Sequence, residues 1–201
     1  MKKKKNPKYE RIIEAAISVI AQHGYHRAQV AKIAKEAGVA DGTIYLYFKS
    51  KEELLLSLFA EKIDQLLLEI RHRLMKENDF QQKFLSFIAI TFHYYEKQPS
   101  LAVVTQLELR QANRPLRKKL NAIIKSYFLL IDELIAEGKA RGYFKETVDY
   151  RLARQMVFGT LDEVITNWVM NDFKFDLASL APSVYEVIIG GLGTEAGKRG
   201  E

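Results

Sequence analysis

Residues 29–51, QVAKIAKEAGVADGTIYLYFKSK, constrain the fold more than any other part of the chain. The first half carries one apolar stripe at helical spacing, formed by Val30, Ile33, Ala34 and Ala37. Gly38 follows at the position where the C-terminus of a helix favours a residue that tolerates a positive φ. Asp41 is then predicted to cap a second helix by accepting a hydrogen bond from an early backbone N–H. The pattern therefore predicts two short helices joined by a tight turn.

The second of these helices has few residues to bury. Only Ile44 and Phe48 share an inward position. The side chains left to point elsewhere are those of Thr43, Tyr45, Leu46 and Tyr47. A free surface helix would carry Lys and Glu there, whereas a helix-turn-helix unit places such a contact-making face in the DNA major groove. The alternative is an ordinary helical hairpin with a core of aromatic side chains. The charge of the flanking residues favours the helix-turn-helix unit.

Positive charge is concentrated around this stretch. Residues 1–51 hold 11 lysines and arginines against 4 aspartates and glutamates, whereas residues 52–201 hold 20 against 21. This split indicates a polyanion-binding head on a neutral body. A merely solubilising basic tail would explain Lys2, Lys3, Lys4 and Lys5, but not the further lysines Lys32, Lys35, Lys49 and Lys51.

Composition narrows the remaining classes. A hydrophobic content of 48% is ample for a packed core, and the absence of cysteine excludes disulfides, thiolate metal sites and a cysteine nucleophile. The longest apolar runs are far shorter than a membrane span. No apolar stretch like that of a signal peptide follows the first lysines, so we expect a cytoplasmic protein.

Helical signals continue along the whole chain. Asn6-Pro7 is a helix start, and that helix should end near Gly24. Residues 50–53 form a capping box that opens a long helix to about residue 77. Further helices are predicted at 80–97, 100–113, 115–141, 148–171 and about 178–192, with a disordered tail at 194–201. We therefore expect an all-α fold of nine helices, three of them in the basic head.

The run AKEAGVADGTIYLYFKSKEELL resembles the DNA-binding signature of the TetR family of transcriptional repressors, and the nine-helix pattern is similar to that family over the ordered chain. Within the family, AVVTQLELRQANRPLRKKLN, RLARQM and NWVMND resemble acyl-CoA-responsive regulators of fatty-acid degradation. The resemblance implies a DNA-binding domain at residues 1–50 and a ligand-binding and dimerisation domain at 51–193. It also implies a homodimer, paired through residues 150–171 and 177–192, on a near-palindromic operator.

The resemblance further implies individual DNA contacts. Thr43 and Gly42 would start the reading helix, Tyr45 and Leu46 would face bases, and the remaining contacts would be to phosphates. The full set of implied contacts is Gln29, Gly42, Thr43, Tyr45, Leu46, Tyr47 and Lys51. Since few of these residues offer donors to base edges, we expect binding to weaken steeply with salt.

The body holds the predicted effector site. Five cations crowd residues 110–119 beside an apolar run, an arrangement that suits a long-tailed amphiphile with a phosphorylated head, as in long-chain acyl-CoA. The predicted ligand contacts are Phe87, Phe92, Leu101, Val104, Leu107, Arg110, Arg114, Arg117, Tyr127, Phe128, Met156 and Trp168. Two alternatives stay open: the bulky side chains fill a core, and the cations form a solvated face.

The predicted function is repression of fatty-acid degradation genes, relieved by long-chain acyl-CoA, with no cofactor and no metal. One rival is a repressor of the same family that responds to an aromatic drug or flavonoid and controls efflux. The other rival is an enzyme. The sequence gives the enzyme little support, because its four histidines are scattered and no metal-binding pair, nucleophile elbow or phosphate loop occurs.

Overall fold

The computed structural model describes residues 6–111, 113–195 and 197 of the 201-residue chain. Within these residues the chain forms nine α-helices and one 3-10 turn, Ala178–Leu180. The helices are α1 (Pro7–His23), α2 (Val30–Glu36), α3 (Asp41–Tyr47), α4 (Lys51–Leu74), α5 (Phe80–Glu96), α6 (Pro99–Gln111), α7 (Arg114–Ala140), α8 (Tyr150–Met170) and α9 (Ala181–Leu192). The all-α, nine-helix expectation is confirmed.

The helices group into two compact units. Unit 1 comprises residues 1–63 and 100–123, and unit 2 comprises residues 64–99 and 124–201. Helices α1 to α3 lie wholly in unit 1, together with the first half of α4, most of α6 and the start of α7. The functional boundary that we expect at residue 50 therefore lies inside unit 1. It remains a proposal about function rather than about packing.

Local chemistry sets both ends of α1. The Asn6 side chain accepts a hydrogen bond from the Tyr9 N–H at 2.9 Å, and Pro7 occupies the first helical position. Gly24 ends the helix with a φ of 74°. One face of α1 is buried, including Ile13, Ala16, Ile17 and Ile20. The predicted bounds of this helix are confirmed.

The turn between α2 and α3 differs in one respect from the expectation. Gly38 adopts a φ of +64°, as predicted for a residue that follows a helix C-terminus. However, the N-cap of α3 is Ala40, which makes no side-chain cap bond, and Asp41 is already the first helical residue. The predicted capping role of Asp41 is therefore wrong. Its carboxylate instead lies in the first turn, where negative charge is favourable for the helix dipole.

The start of α4 is capped as predicted, with a small change in partner. The Ser50 Oγ accepts from the Glu53 N–H at 3.1 Å, while the Glu53 carboxylate accepts from the Lys49 N–H at 2.7 Å rather than from Ser50. The helix ends at Leu74 instead of residue 77. Bonds of the i to i+3 type tighten the chain there, because Lys76 N–H reaches Arg73 O and Glu77 N–H reaches Leu74 O.

Side-chain caps also explain two later boundaries. Helix α7 begins at Arg114 because the Asn113 carboxamide oxygen accepts from the Leu116 N–H at 3.0 Å. Helix α8 begins at Tyr150, two residues later than predicted, because the Asp149 carboxylate accepts from the Arg151 and Leu152 N–H groups. The last predicted helix, 178–192, divides into the 3-10 turn and α9.

Aromatic rings fill the core of unit 2. Phe80, Phe84, Phe87 and Phe144 are fully buried and pack ring against ring. Helix α7 passes this cluster at Gly138, where a Cβ atom would lie 2.6 Å from the Phe80 Cζ and closer still to the Phe144 ring. Glycine at 138 therefore reflects close ring packing rather than backbone conformation.

The expected disorder of residues 194–201 is wrong for its first residue. The Thr194 N–H donates to Tyr143 O at 2.9 Å and its hydroxyl donates to Gly142 O at 2.7 Å. Residues 196 and 198–201 lie outside the described residues, as do Lys2 to Lys5. Among the described residues, no helix has the combined length and apolar character that crossing a bilayer requires.

Gly138→Ala is expected to lower the free energy of unfolding by about 1–3 kcal/mol, because the added methyl group forces the Phe80 and Phe144 rings to move. Chemical denaturation measures this change. The matched control is Gly42→Ala, where a Cβ meets nothing within 4 Å. That variant should gain up to about 1 kcal/mol from helix propensity. Equal stability of Gly138→Ala and the wild type would contradict the packing argument.

Candidate nucleic-acid interface and effector region

Helix α3 buries one side and exposes the other. Ile44 and Phe48 are buried, whereas Tyr45 is 56% and Leu46 81% exposed. These exposures contradict the alternative of a helical hairpin with Tyr45 in its core. The outward face carries an aromatic ring and an aliphatic side chain, with the exposed Asp41 carboxylate in the first turn as its charged group. Exposed contact-making side chains of this kind are expected of a helix that reads DNA.

Tyr47 has a structural partner as well as a partly exposed ring. Its hydroxyl lies 3.0 Å from the Asn6 Nδ2 and 3.2 Å from the Asn6 Oδ1. Its ring meets Tyr9 edge-on, with 6.1 Å between centroids. Tyr47 thus ties the end of α3 to the start of α1. Its expected phosphate contact stays a prediction, and that contact would be made by a side chain already held in place.

Lys51 has structural partners within unit 1. Its ammonium group donates to Tyr25 O at 2.8 Å, His26 O at 3.1 Å and Ala28 O at 3.0 Å, and lies 4.7 Å from the Tyr25 ring centroid. An ammonium group has three donors, so these carbonyls use all of them. Lys51 therefore fastens the loop between α1 and α2, and its expected phosphate contact stays a prediction.

The other predicted contacts are accessible. Gln29 is exposed at the N-cap of α2 and makes no side-chain cap bond. Gly42 lies in the first turn of α3, and a Cβ there would meet nothing within 4 Å. No neighbouring atom within the chain therefore requires a glycine, whereas close approach of a DNA backbone would. Exposed basic residues of this part of unit 1 are Lys8, Arg11, Arg27, Lys32, Lys35 and Lys49.

The three-helix head is held to α4 by a polar contact and a buried ring. Lys62 donates to the Glu14 carboxylate at 2.6 Å, with the Lys62 side chain buried. Tyr9 packs on Phe48, and burial, followed by the nearby Glu61 carboxylate, raises the pKa of the Tyr9 phenol to about 12. The Tyr9 phenol is hydrogen-bonded to Glu61 and Ser57, which both belong to α4, so Tyr9 links the head to that helix.

The predicted effector cations form an exposed group within unit 1. Arg110 is in the last turn of α6, and Arg114 and Arg117 are in the first turn of α7, which has no acidic residue. Lys119 forms an ion pair with Glu52 at 2.5 Å. Cations at a helix N-terminus oppose the helix dipole, typically by about 0.3–1 kcal/mol each at a surface. The arrangement is therefore costly for folding and favourable for binding an anion.

The predicted apolar ligand contacts divide by burial. Leu107 is exposed, and Phe128 and Met156 are partly exposed. The buried members are Phe87, Phe92, Leu101, Val104, Tyr127 and Trp168. Leu101, Val104 and Leu107 belong to unit 1 with the cations, and the other apolar contacts belong to unit 2.

Two of the buried residues have clear structural partners. The Trp168 indole N–H donates to Phe175 O at 2.8 Å, and its ring meets Phe173. The Tyr127 hydroxyl lies 3.3 Å from Thr91 Oγ1, and burial raises the pKa of Tyr127. Core packing explains both residues without a ligand, so their ligand contacts remain predictions.

No group of three or more His, Cys, Asp or Glu side chains that could hold a metal ion occurs in the described part of the chain. Catalytic geometry is not needed to explain the surfaces above. Their chemistry is that of binding: an exposed helical face with Tyr45 and Leu46 among basic residues, and a cationic segment beside apolar side chains of α6.

Comparison with known proteins gives matches along almost the entire chain. Residues 12–58 match the family described as bacterial regulatory proteins, tetR family, and residues 59–191 match the YsiA-like protein, C-terminal region. The fatty acid metabolism regulator protein of Bacillus subtilis strain 168 is 50% identical over 190 residues, which cover 94% of this chain and 98% of that protein.

Two solved structures are similar over the same extent. The fatty acid degradation regulator FadR from Bacillus halodurans has a TM-score of 0.89 and 53% identity, and covers 92% of this chain and 99% of its own. FadR from Bacillus subtilis, solved in complex with stearoyl-CoA, has a TM-score of 0.88 and 50% identity, with coverage of 92% and 99%.

Lys51→Met and Lys49→Met are expected to change different properties: the first lowers stability, and the second lowers the salt dependence of DNA binding. Loss of the Lys51 ammonium group leaves three carbonyls without their donor and should lower the free energy of unfolding by about 1–2 kcal/mol. It should leave the slope of log K against log salt for DNA binding unchanged. Lys49→Met should leave stability within about 0.5 kcal/mol and reduce the slope by about 0.9 if Lys49 contacts one phosphate.

Thermal or chemical denaturation and a salt titration of duplex binding measure the two quantities. A reduced salt slope for Lys51→Met, at unchanged stability, would contradict this expectation and indicate that Lys51 contacts a phosphate directly.

Proposed function

The chain belongs to the tetR family of bacterial regulatory proteins, and we propose that it represses fatty-acid degradation genes and leaves its operator when long-chain acyl-CoA binds. The observation that carries the proposal is the 50% identity to the Bacillus subtilis fatty acid metabolism regulator over 94% of this chain. The stearoyl-CoA bound to the similar FadR structure supports the same class of effector.

DNA binding is proposed to use α3 as the reading helix. Its N-terminal residues Gly42 and Thr43 let the helix approach the backbone, and Tyr45 and Leu46 face the bases. A leucine senses a thymine methyl group but has no donor or acceptor. Most of the affinity is therefore electrostatic, supplied by the exposed lysines and arginines of the head.

Dimerisation is proposed to use α8 and α9. A single short reading helix covers too little of the groove for operator specificity, whereas two of them match a near-palindrome. Leu152 and Met170 of α8 and Val187 of α9 are exposed apolar residues. A Cβ at Gly159 or Gly190 would meet nothing within 4 Å of its own chain, which leaves room for a partner helix.

The effector head is proposed to bind the cations of residues 110–117. Arg110, Arg114 and Arg117 can each offer two parallel N–H donors to phosphate oxygens. The positive end of the α7 dipole adds to their attraction for an anion. The adjacent apolar residues of α6, Leu101, Val104 and Leu107, would accept part of the tail, and each buried methylene contributes about 0.8 kcal/mol before ordering costs.

A response to an aromatic drug or flavonoid is the second candidate, supported by the aromatic side chains of unit 2. A neutral or cationic drug would gain no electrostatic attraction from several cations in one segment. The group Arg110, Arg114 and Arg117 therefore favours the anionic effector. In either case the chain has two conformers, and only one of them fits the operator. The effector releases the DNA only if its affinity is higher for the other conformer. A coupling of about 1–3 kcal/mol is typical of such links.

Titration of stearoyl-CoA into the complex of protein and promoter DNA tests the proposal. Release of the DNA is expected, with an operator affinity about 5- to 150-fold lower at saturation. The double variant Arg110→Ala, Arg114→Ala should lose most of this response and keep its affinity for DNA without effector. Fluorescence anisotropy of a labelled duplex measures both quantities.

The matched control removes two exposed arginines of α4 in unit 2, Arg71→Ala with Arg73→Ala. It should respond like the wild type. Unchanged DNA binding at saturating stearoyl-CoA would exclude the proposed function, and a full response from the Arg110 and Arg114 double variant would show that these side chains are only solvated surface.

A further inference from the structure

The first turn of α4 joins three parts of unit 1 through three consecutive residues. Lys51 fastens the loop between α1 and α2 through three carbonyls. Glu52 pairs with Lys119 of α7 at 2.5 Å. Glu53 accepts from the Lys49 N–H and donates its own N–H to Ser50. One helical turn therefore contacts the loop between α1 and α2, the helix α7 and the connection between α3 and α4.

Lys119 belongs to the same cationic stretch as the proposed phosphate ligands. It lies two residues after Arg117, in the second turn of α7, and is 57% exposed. Glu52, its partner, is 40% exposed. The carboxylate of Glu52 is therefore an anion of the protein itself, placed beside the segment that is proposed to receive the anions of the effector.

We infer that the phosphates of the effector compete with Glu52 for Lys119, and that the loss of the Glu52–Lys119 ion pair conveys effector binding to α3. This inference rests on the proposed function and adds the residue pair through which the two sites are coupled. A phosphate group carries more negative charge than a carboxylate and presents more acceptor oxygens. Because the ion pair is half-exposed and weak, the exchange is feasible.

The path from Glu52 to the reading helix is short and ordered. Only residues 48–50 separate α3 from α4. Phe48 is fully buried against Tyr9, and Ser50 caps α4 through the Glu53 N–H. A movement of the first turn of α4 is therefore transmitted to α3 by covalent connection and by a rigid contact rather than by a flexible linker.

A double-mutant cycle tests the inference, with stearoyl-CoA as the probe and the full-length chain throughout. The variants are Glu52→Gln, Lys119→Met and the combination of the two. The measured response is the ratio of operator dissociation constants with and without saturating stearoyl-CoA. Each single variant should reduce this ratio by about 1.5- to 5-fold, the range expected for a half-exposed pair. The double variant should reduce it no further than either single variant.

Calorimetry of stearoyl-CoA binding without DNA gives a second readout. Glu52→Gln removes the competing carboxylate, so the affinity of the free protein for stearoyl-CoA should rise by about 1.5- to 5-fold. The matched control is Glu133→Gln, which breaks the similarly exposed ion pair between Arg71 of α4 and Glu133 of α7 in unit 2. That variant should change neither the affinity nor the response.

The outcomes separate the inference from the function on which it rests. If the wild type responds and the Glu52 and Lys119 variants respond equally, or if their effects multiply in the double variant, the coupling role is excluded while the proposed function stands. If the wild type itself stays bound to its operator at saturating stearoyl-CoA, both the proposed function and the inferred coupling are excluded. A response reduced equally by Glu133→Gln would also overturn the inference.

Discussion

The burial of Ile44 and Phe48 determines which side chains of α3 face outward, and the proposed DNA binding depends on that orientation. Helix α3 has seven residues, and these two apolar side chains fix its rotation. Because residues on one helix face recur every three or four positions, Tyr45 and Leu46 must then face outward. The contact of Phe48 with Tyr9 and the three bonds of Lys51 hold this orientation. The outward face is thus the consequence of a small core.

Charge is arranged at two places where it is unfavourable for folding and favourable for binding. The head carries 11 basic against 4 acidic residues in its first 51 positions. The first turn of α7 has Arg114 and Arg117 against the helix dipole and no acidic residue. Both arginines of α7 are exposed, and so are most of the basic residues of the head that the structure describes, so solvent screening limits the cost. One group matches a polyanion, and the other matches a small phosphorylated amphiphile.

Local chemistry made most of the fold predictable, and contacts distant in sequence explain what was missed. Asn6, Gly24, Gly38 and Ser50 act on backbone groups a few residues away, so their roles could be inferred from sequence. The role of Lys51 could not, because its carbonyl partners lie 23 to 26 residues earlier in the chain.

The pairing of Lys119 with Glu52, 67 residues apart, was equally invisible. The ligand contacts were the hardest to infer, because a buried Tyr127 or Trp168 packs in the same way whether it fills a core or lines a cavity.

The most direct measurement of the central claim is the affinity of a Tyr45→Ala, Leu46→Ala variant for promoter DNA, beside its stability without DNA. Both side chains are exposed, so the free energy of unfolding should change by less than about 0.5 kcal/mol each. Specific binding should fall at least about 10-fold, as expected for the loss of base contacts, while binding to unrelated duplex persists. Equal specific affinity of variant and wild type would contradict the assignment of α3 as the reading helix.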